Sequence, residues 1–175
     1  MSIKLEGSKV FRVLFLFLII VTCTIIFYFS NQNGEISGDT SGRFIRKVLS
    51  NFSEYQKLSN KRKEQIVEKL QPFVRKMAHF SIYTLLGFNL MGFFLTFKLG
   101  KILKYILPIT AGMLYAISDE LHQMFSTGRS ARLFDVGVDT CGVIFGTILI
   151  MIFSKIVYWA RNSREYKKMK KEEEK

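Results

Sequence analysis

Four apolar runs separated by blocks of charge constrain this chain more than anything else in it. They cover about residues 10–29, 77–97, 102–125 and 135–159. Each is long enough to cross roughly 30 Å of hydrocarbon at about 1.5 Å of rise per helical residue. A soluble domain mixes apolar and charged residues along its length. Here 49% hydrophobic content and a formal net charge of +12 are segregated instead. A segment inside a bilayer must satisfy its own backbone polar groups, which restricts such runs to helices. The expected fold is therefore all-α: a polytopic membrane helix bundle of about four transmembrane helices, forming a single domain over residues 1–175.

The first run exceeds the ~7–15 apolar residues of a cleavable leader, and no small-x-small site follows it. Strongly apolar sequence continues beyond Val21-Thr22-Cys23, which makes a poor lipoprotein signal. The segment reads as a retained anchor. Pro108 lies early in the third run, where neighbouring helices can satisfy the freed carbonyl, and Tyr158 and Trp159 close the fourth as an interfacial anchor. Cys23 and Cys141 both fall within apolar runs. They read as packing residues, with no disulfide and no zinc-ligand spacing. No cofactor or metal is expected.

Lysine and arginine set the orientation. Lys4, Lys9 and Arg12 precede the first span; Lys98, Lys101 and Lys104 crowd the turn between the second and third; Arg161, Arg164, Lys167 and others follow the fourth. Four spans put all three groups on one side, the cytoplasm, so both termini are expected on the inner face of a plasma membrane. The basic tail, 160–175, then meets anionic inner-leaflet lipid, at about 1 kcal/mol per basic residue near the surface. Nucleic acid is a poor explanation of charge that adjoins a membrane span. The outer loop, 30–76, argues the other way with ten basic and five acidic residues, but long loops translocate with less regard to charge.

Within that loop, Asn31–Gly42 is rich in Ser, Gly and Asn and reads as flexible. Phe44, Ile45, Val48, Leu49, Phe52 and Tyr55 then recur at helical spacing. They predict an amphipathic helix lying on the outer membrane surface, with docking to a partner as the alternative. A second short helix, about Asn60–Leu70, is expected to run to Pro72 and then into the second span.

Apart from Arg12, the ionisable residues associated with the spans gather at the outer side. The second span begins with Arg75, Lys76 and His79; the third ends with Asp119, Glu120, His122 and Gln123; the fourth begins with Asp135 and Asp139; Arg129 and Arg132 lie between the last two. His79, Tyr83 and Gly87 share one helical face, as do Gly112, Ala116, Asp119 and Gln123, and Asp135, Asp139, Gly142 and Gly146. Small residues let helices approach, and Gly142-x-x-x-Gly146 fits a membrane packing motif. In each helix the polar groups thus sit above the surface suited to contact a neighbour.

A charge at the bilayer centre costs roughly 2.5–3.5 kcal/mol on insertion scales. One reading is therefore a small site open to the outer leaflet, with Arg and Lys for an anionic headgroup and with His79, Asp119 and His122 as candidates for catalysis or metal ligation. The candidate ligand-binding set is Arg75, Lys76, His79, Tyr83, Asp119, Glu120, His122, Gln123, Arg129, Asp135 and Asp139. The other reading is a balanced salt-bridge network that fixes helix ends and binds nothing.

The same residues carry a resemblance. Arg75-Lys76-Met77-Ala78-His79-Phe80 with Tyr83 and Gly87, then Ser118-Asp119-Glu120-Leu121-His122-Gln123, Gly128-Arg129-Ser130, Asp135, Asp139, Gly142 and Gly146, resemble the VanZ-like membrane family over roughly residues 30–150. Thr127 departs from it, standing where a proline often precedes the Gly-Arg pair. The resemblance implies a bacterial cell-envelope protein whose name-giving relative confers low-level resistance to teicoplanin, an acylated glycopeptide antibiotic. It implies no reaction. Three functions follow as expectations. The first is recognition of a lipid-linked or amphiphilic ligand from the outer leaflet. The second is a hydrolase or transferase acting on a phosphorylated lipid, with Arg75, Arg129 and Arg132 on the phosphate. The third is a non-catalytic scaffold. The sequence matches no HExxH, nucleophile-elbow or lipid-phosphatase pattern that would make it an enzyme.

Overall fold

The computed structural model describes residues 7–32, 34–125 and 132–173, and among these it is helical with no strand. Six helices follow in order: α1 (Lys9–Ser30), α2 (Gly34–Leu49), α3 (Ser53–Gln56), α4 (Asn60–Phe94), α5 (Lys101–Gln123) and α6 (Leu133–Glu173). Three of them are long and apolar enough to cross a membrane: α1, α4 and the Leu133–Ser163 portion of α6. α5 has a similar length, but Lys101 and Lys104 at one end and Asp119 and Glu120 at the other make it less apolar.

The bundle is inside-out relative to a soluble one. α1 turns Val10, Val13, Phe17 and Ile20 outward and buries Thr22 and Ser30 with Ile26. Asn89 of α4 and Thr147 of α6 are also buried, while Ile148, Ile152 and Phe153 are exposed. Polar groups placed inward can satisfy one another, as Asn89 Nδ2 does by donating to Thr22 Oγ1 at 3.2 Å. Apolar groups placed outward suit a hydrocarbon solvent and would be untenable in water.

α6 packs against α4 and α5, and α1 and α2 against α4. The α4–α6 contact is backbone on backbone. A Cβ at Gly146 would drive into the Thr84 carbonyl oxygen, and one at Gly87 into that of Val143. At Gly142 it would lie 2.6 Å from the Phe80 carbonyl oxygen. The glycine spacing read from the sequence is therefore the helix–helix seam. Tyr83, Leu86, Ala116, Val143 and Ile26 form one core cluster, and Met91, Leu95 and Ile150 form a second.

Three expectations need correction. First, the segment expected to be flexible is helical from Gly34, because α2 docks on α4. Gln71 Nε2 donates to the Gly38 carbonyl at 3.1 Å, Ile45 is buried, and Arg46 pairs with Glu64 at 2.9 Å. This tertiary contact overrides the weak helix propensity of a Gly/Ser-rich stretch. Second, the apolar stripe does not continue as one helix to Tyr55. Ser50 Oγ and Asn51 Nδ2 donate back to the Lys47 carbonyl and end α2 at Leu49. Third, Asn60–Leu70 is no separate helix: α4 runs unbroken through Pro72, starting at the Ser59 cap and ending at Phe94. Pro72 is exposed, so its ring meets no packed neighbour. The basic tail, which carries no secondary-structure expectation from the sequence, continues α6 as helix to Glu173. Thr127, Arg129 and most of the turn expected at Ser126–Phe134 lie outside the described residues.

Candidate functional site

The site grows out of the α4–α6 seam. Because Gly142 and Gly146 let the two backbones touch, the residues one and two turns above them are forced together. Tyr83 is fully buried, Asp139 is 2% exposed, and Asp119 of α5 joins them at 5%. His79, one turn above Tyr83, brings Nδ1 to 3.8 Å from Asp139 Oδ1. One ligand atom each from His79, Asp119 and Asp139 lies within 4.8 Å of the other two.

The polar contacts of this group are incomplete. Asp119 Oδ2 accepts from Gln123 Nε2 at 3.0 Å, four residues along the same helix. Asp139 Oδ1 and Tyr83 Oη are buried and have no hydrogen-bond partner, although the Tyr83 hydroxyl lies close enough to both carboxylates to feel their charges. Two ionised carboxylates this close repel by roughly 3–4 kcal/mol at an effective dielectric constant of about 20. A neutral amide does not offset that. Buried carboxylates left in such a state are costly unless a proton or a cation joins them.

A second layer is more conventional. Lys76 Nζ pairs with Asp135 Oδ1 and lies 4.2 Å from the Phe134 ring centroid. Glu120 is buried, and its Oε1 accepts from the Arg132 backbone N–H at 2.6 Å, which ties α5 to the start of α6. Both contacts brace the helix ends. The fully balanced network weighed from the sequence is not seen: among the described residues no basic side chain of Lys or Arg is paired with Asp119, Glu120 or Asp139.

His122 and His79 separate. The His122 ring stacks on Phe27 of α1, centroids 4.8 Å apart, and it is not part of the His79–Asp119–Asp139 group. The helical turn from Asp119 suits Gln123, at i+4, better than His122, at i+3. Arg132 is exposed, and Arg129 is outside the described residues.

Sequence reasoning missed an apolar cleft of about 690 Å³ between α1, α2 and α4. Ile26, Phe29, Phe44, Phe73, Met77 and Ile82 give it its character, and Arg75 and His79 are among its lining residues. It draws on three separate segments, so no local pattern announces it. The one available signal was Phe44, an apolar residue of the α2 stripe that stays exposed on the helix. His79 belongs both to this cleft and to the carboxylate pair, which makes it the hinge between them.

No curated protein and no solved structure matches the chain. The family model described as VanZ/LLP1 matches residues 15–154, which takes in α1 through most of α6 and every described residue of the site. The chain belongs to the VanZ/LLP1 family.

Proposed function

We propose that this membrane protein crosses the bilayer four times, with α5 as the third span, and that it recognises an amphiphilic or lipid-linked ligand from the outer leaflet. Four crossings put the basic groups at Lys9–Arg12, Lys98–Lys104 and after Trp159 on one side, which by the positive-inside rule is the cytoplasm. The His79 end of the bundle then faces outward.

The observation that carries this reading is the cleft. Its apolar walls accept an acyl or polyprenyl chain, and Arg75 has no ion-pair partner among the described residues. A guanidinium lining an apolar groove matches a ligand with a greasy tail and an anionic head. Lipid-linked intermediates of the cell envelope and acylated glycopeptides both have that form. Low-level teicoplanin tolerance, suggested by the family's name, fits it as well, since teicoplanin carries an acyl chain and vancomycin does not.

Native mass spectrometry of the protein released from gentle detergent tests the proposal. Wild type is expected to retain an anionic lipid or lipid-linked species, and Ala78→Trp, which fills the cleft, to lose it. An identical lipid complement in both proteins would sink the reading. In a glycopeptide-susceptible Gram-positive host at matched membrane levels, the protein is expected to protect selectively against teicoplanin. Equal protection against vancomycin would remove the lipid-level explanation.

A further inference from the structure

We infer that His79, Asp119 and Asp139 hold a divalent metal ion of the zinc or manganese class. The inference does not depend on the identity of any lipid ligand. It rests on three helices, α4, α5 and α6, each contributing one donor to a common point, and on one further polar atom there, the buried Tyr83 Oη, that makes no hydrogen bond.

The donor set has the required chemistry. One imidazole nitrogen with two carboxylate oxygens is a mixed nitrogen–oxygen set, suited to Zn²⁺ or Mn²⁺ better than to Mg²⁺ or Ca²⁺, which favour oxygen alone. Three protein ligands with a further position left for water or an incoming oxygen is the pattern of catalytic zinc sites. A dication balances two carboxylates, of which Asp119 accepts one hydrogen bond, from Gln123, and Asp139 has His79 at 3.8 Å. Donors at about 2.1 Å from a tetrahedral ion sit roughly 3.4 Å apart. The carboxylates must therefore close by about an ångström on the present spread of up to 4.8 Å, which rotation about their side-chain bonds provides.

Tyr83 is the independent witness. Its hydroxyl is wholly buried, makes no hydrogen bond of ordinary geometry and lies close enough to Asp119 and Asp139 to feel both charges. A purely structural site would have used phenylalanine there or given the hydroxyl an acceptor. Beside a metal, the phenol donates to a ligating carboxylate or to a metal-bound water, the role that outer-shell partners of metal ligands play. Asp139 Oδ1, 2% exposed as a residue and also without a hydrogen bond, is the matching acceptor for the ion.

The test uses the full chain, purified in lipid-free detergent, stripped with EDTA and titrated separately with Zn²⁺ and Mn²⁺. Elemental analysis after desalting should find stoichiometric metal on wild type, and the ion should raise the melting temperature until EDTA reverses it. His79→Ala and Asp139→Asn should each weaken binding more than about 100-fold, and Tyr83→Phe by the ~10–100-fold typical of a lost outer partner. A wild-type protein that takes up no stoichiometric metal and shows no metal-dependent melting shift overturns the inference. So does wild-type affinity in a monodisperse Asp139→Asn. If that variant aggregates, the wild-type melting shift and the Tyr83→Phe affinity decide. Lipid retention is read separately, so failure of the ligand proposal and failure of the metal site are distinguishable.

Discussion

The bundle has polar groups at both ends, and the two ends are built differently. At the end that the proposed topology places inside, Arg12 donates from Nε to Thr96 Oγ1 at 3.3 Å and from Nη2 to the Thr96 carbonyl at 3.2 Å. Its guanidinium lies 4.1 Å from the Phe97 ring centroid, and the Gly7 N–H donates to the same carbonyl at 2.9 Å. Thr96 Oγ1 in turn donates to Phe93. At the opposite end, the outer one in that topology, Asp139 Oδ1 and Tyr83 Oη are buried without a hydrogen bond, and His79 Nδ1 stands 3.8 Å from Asp139 Oδ1. The cost of burial scales with what is left unpaired. The Arg12 end is thus a finished clasp that holds α1 to the residues just after α4, and the His79 end is incompletely paired. Ionisable residues in a membrane protein therefore fall into two kinds, and completeness of pairing separates them better than number or charge.

The largest expected effect strikes both ends at once. Gly146→Leu pushes a side chain into the Thr84 backbone at the seam that positions everything above and below it. Overpacking of this kind costs about 1–3 kcal/mol and more where only backbone can yield, so fluorescence-detected gel filtration should show little monodisperse protein. A normal profile would mean that the seam does not hold the two ends in register.

The comparison itself is tested by a pair. Arg12→Ala breaks charged hydrogen bonds worth roughly 1.5–3 kcal/mol each and should lower thermal stability clearly, with cleft and metal readouts unchanged. Asp139→Asn removes a buried charge whose Oδ1 has no hydrogen bond and only His79, at 3.8 Å, beside it, so in metal-free protein it should leave the melting temperature equal or raise it. If Asp139→Asn proves as damaging as Arg12→Ala, the outer end is a clasp too, and the distinction fails.

Lys76→Met gives the smallest change. Both partners of its ion pair with Asp135 are about 30% exposed, and partly exposed pairs contribute about 0–1 kcal/mol. A shift beyond that range would show that the outer layer carries stability and not only orientation.

Much of this was legible in the sequence. α1 lies within a residue of its expected limits at each end, and the glycine spacing on α6 located the seam. The convergence of His79, Asp119 and Asp139 followed from helical periodicity alone, since residues on one face must meet whatever that face meets. What was not legible depended on contacts between segments distant in the chain. The docking of α2 rests on Gly42 and Ile45 meeting Val67 and Gln71, which no local propensity encodes. The separation of the two histidines was hidden for a similar reason: Asp119, His122 and Gln123 lie on adjoining parts of one helix, and only the positions of α1 and α6 decide which of them meets what.

The unbroken course of α4 has a mechanical consequence. Its 35 residues make a rod about 52 Å long, against a hydrocarbon core of roughly 30 Å, so some 20 Å of it stands outside the core. α2 is fastened to that protruding arm through Arg46 and Glu64, and His79 sits farther along the same rod. α4 is one continuous helix from that arm to His79, while Asp119 and Asp139 are carried by α5 and α6, so the arm and the site share a single piece of secondary structure.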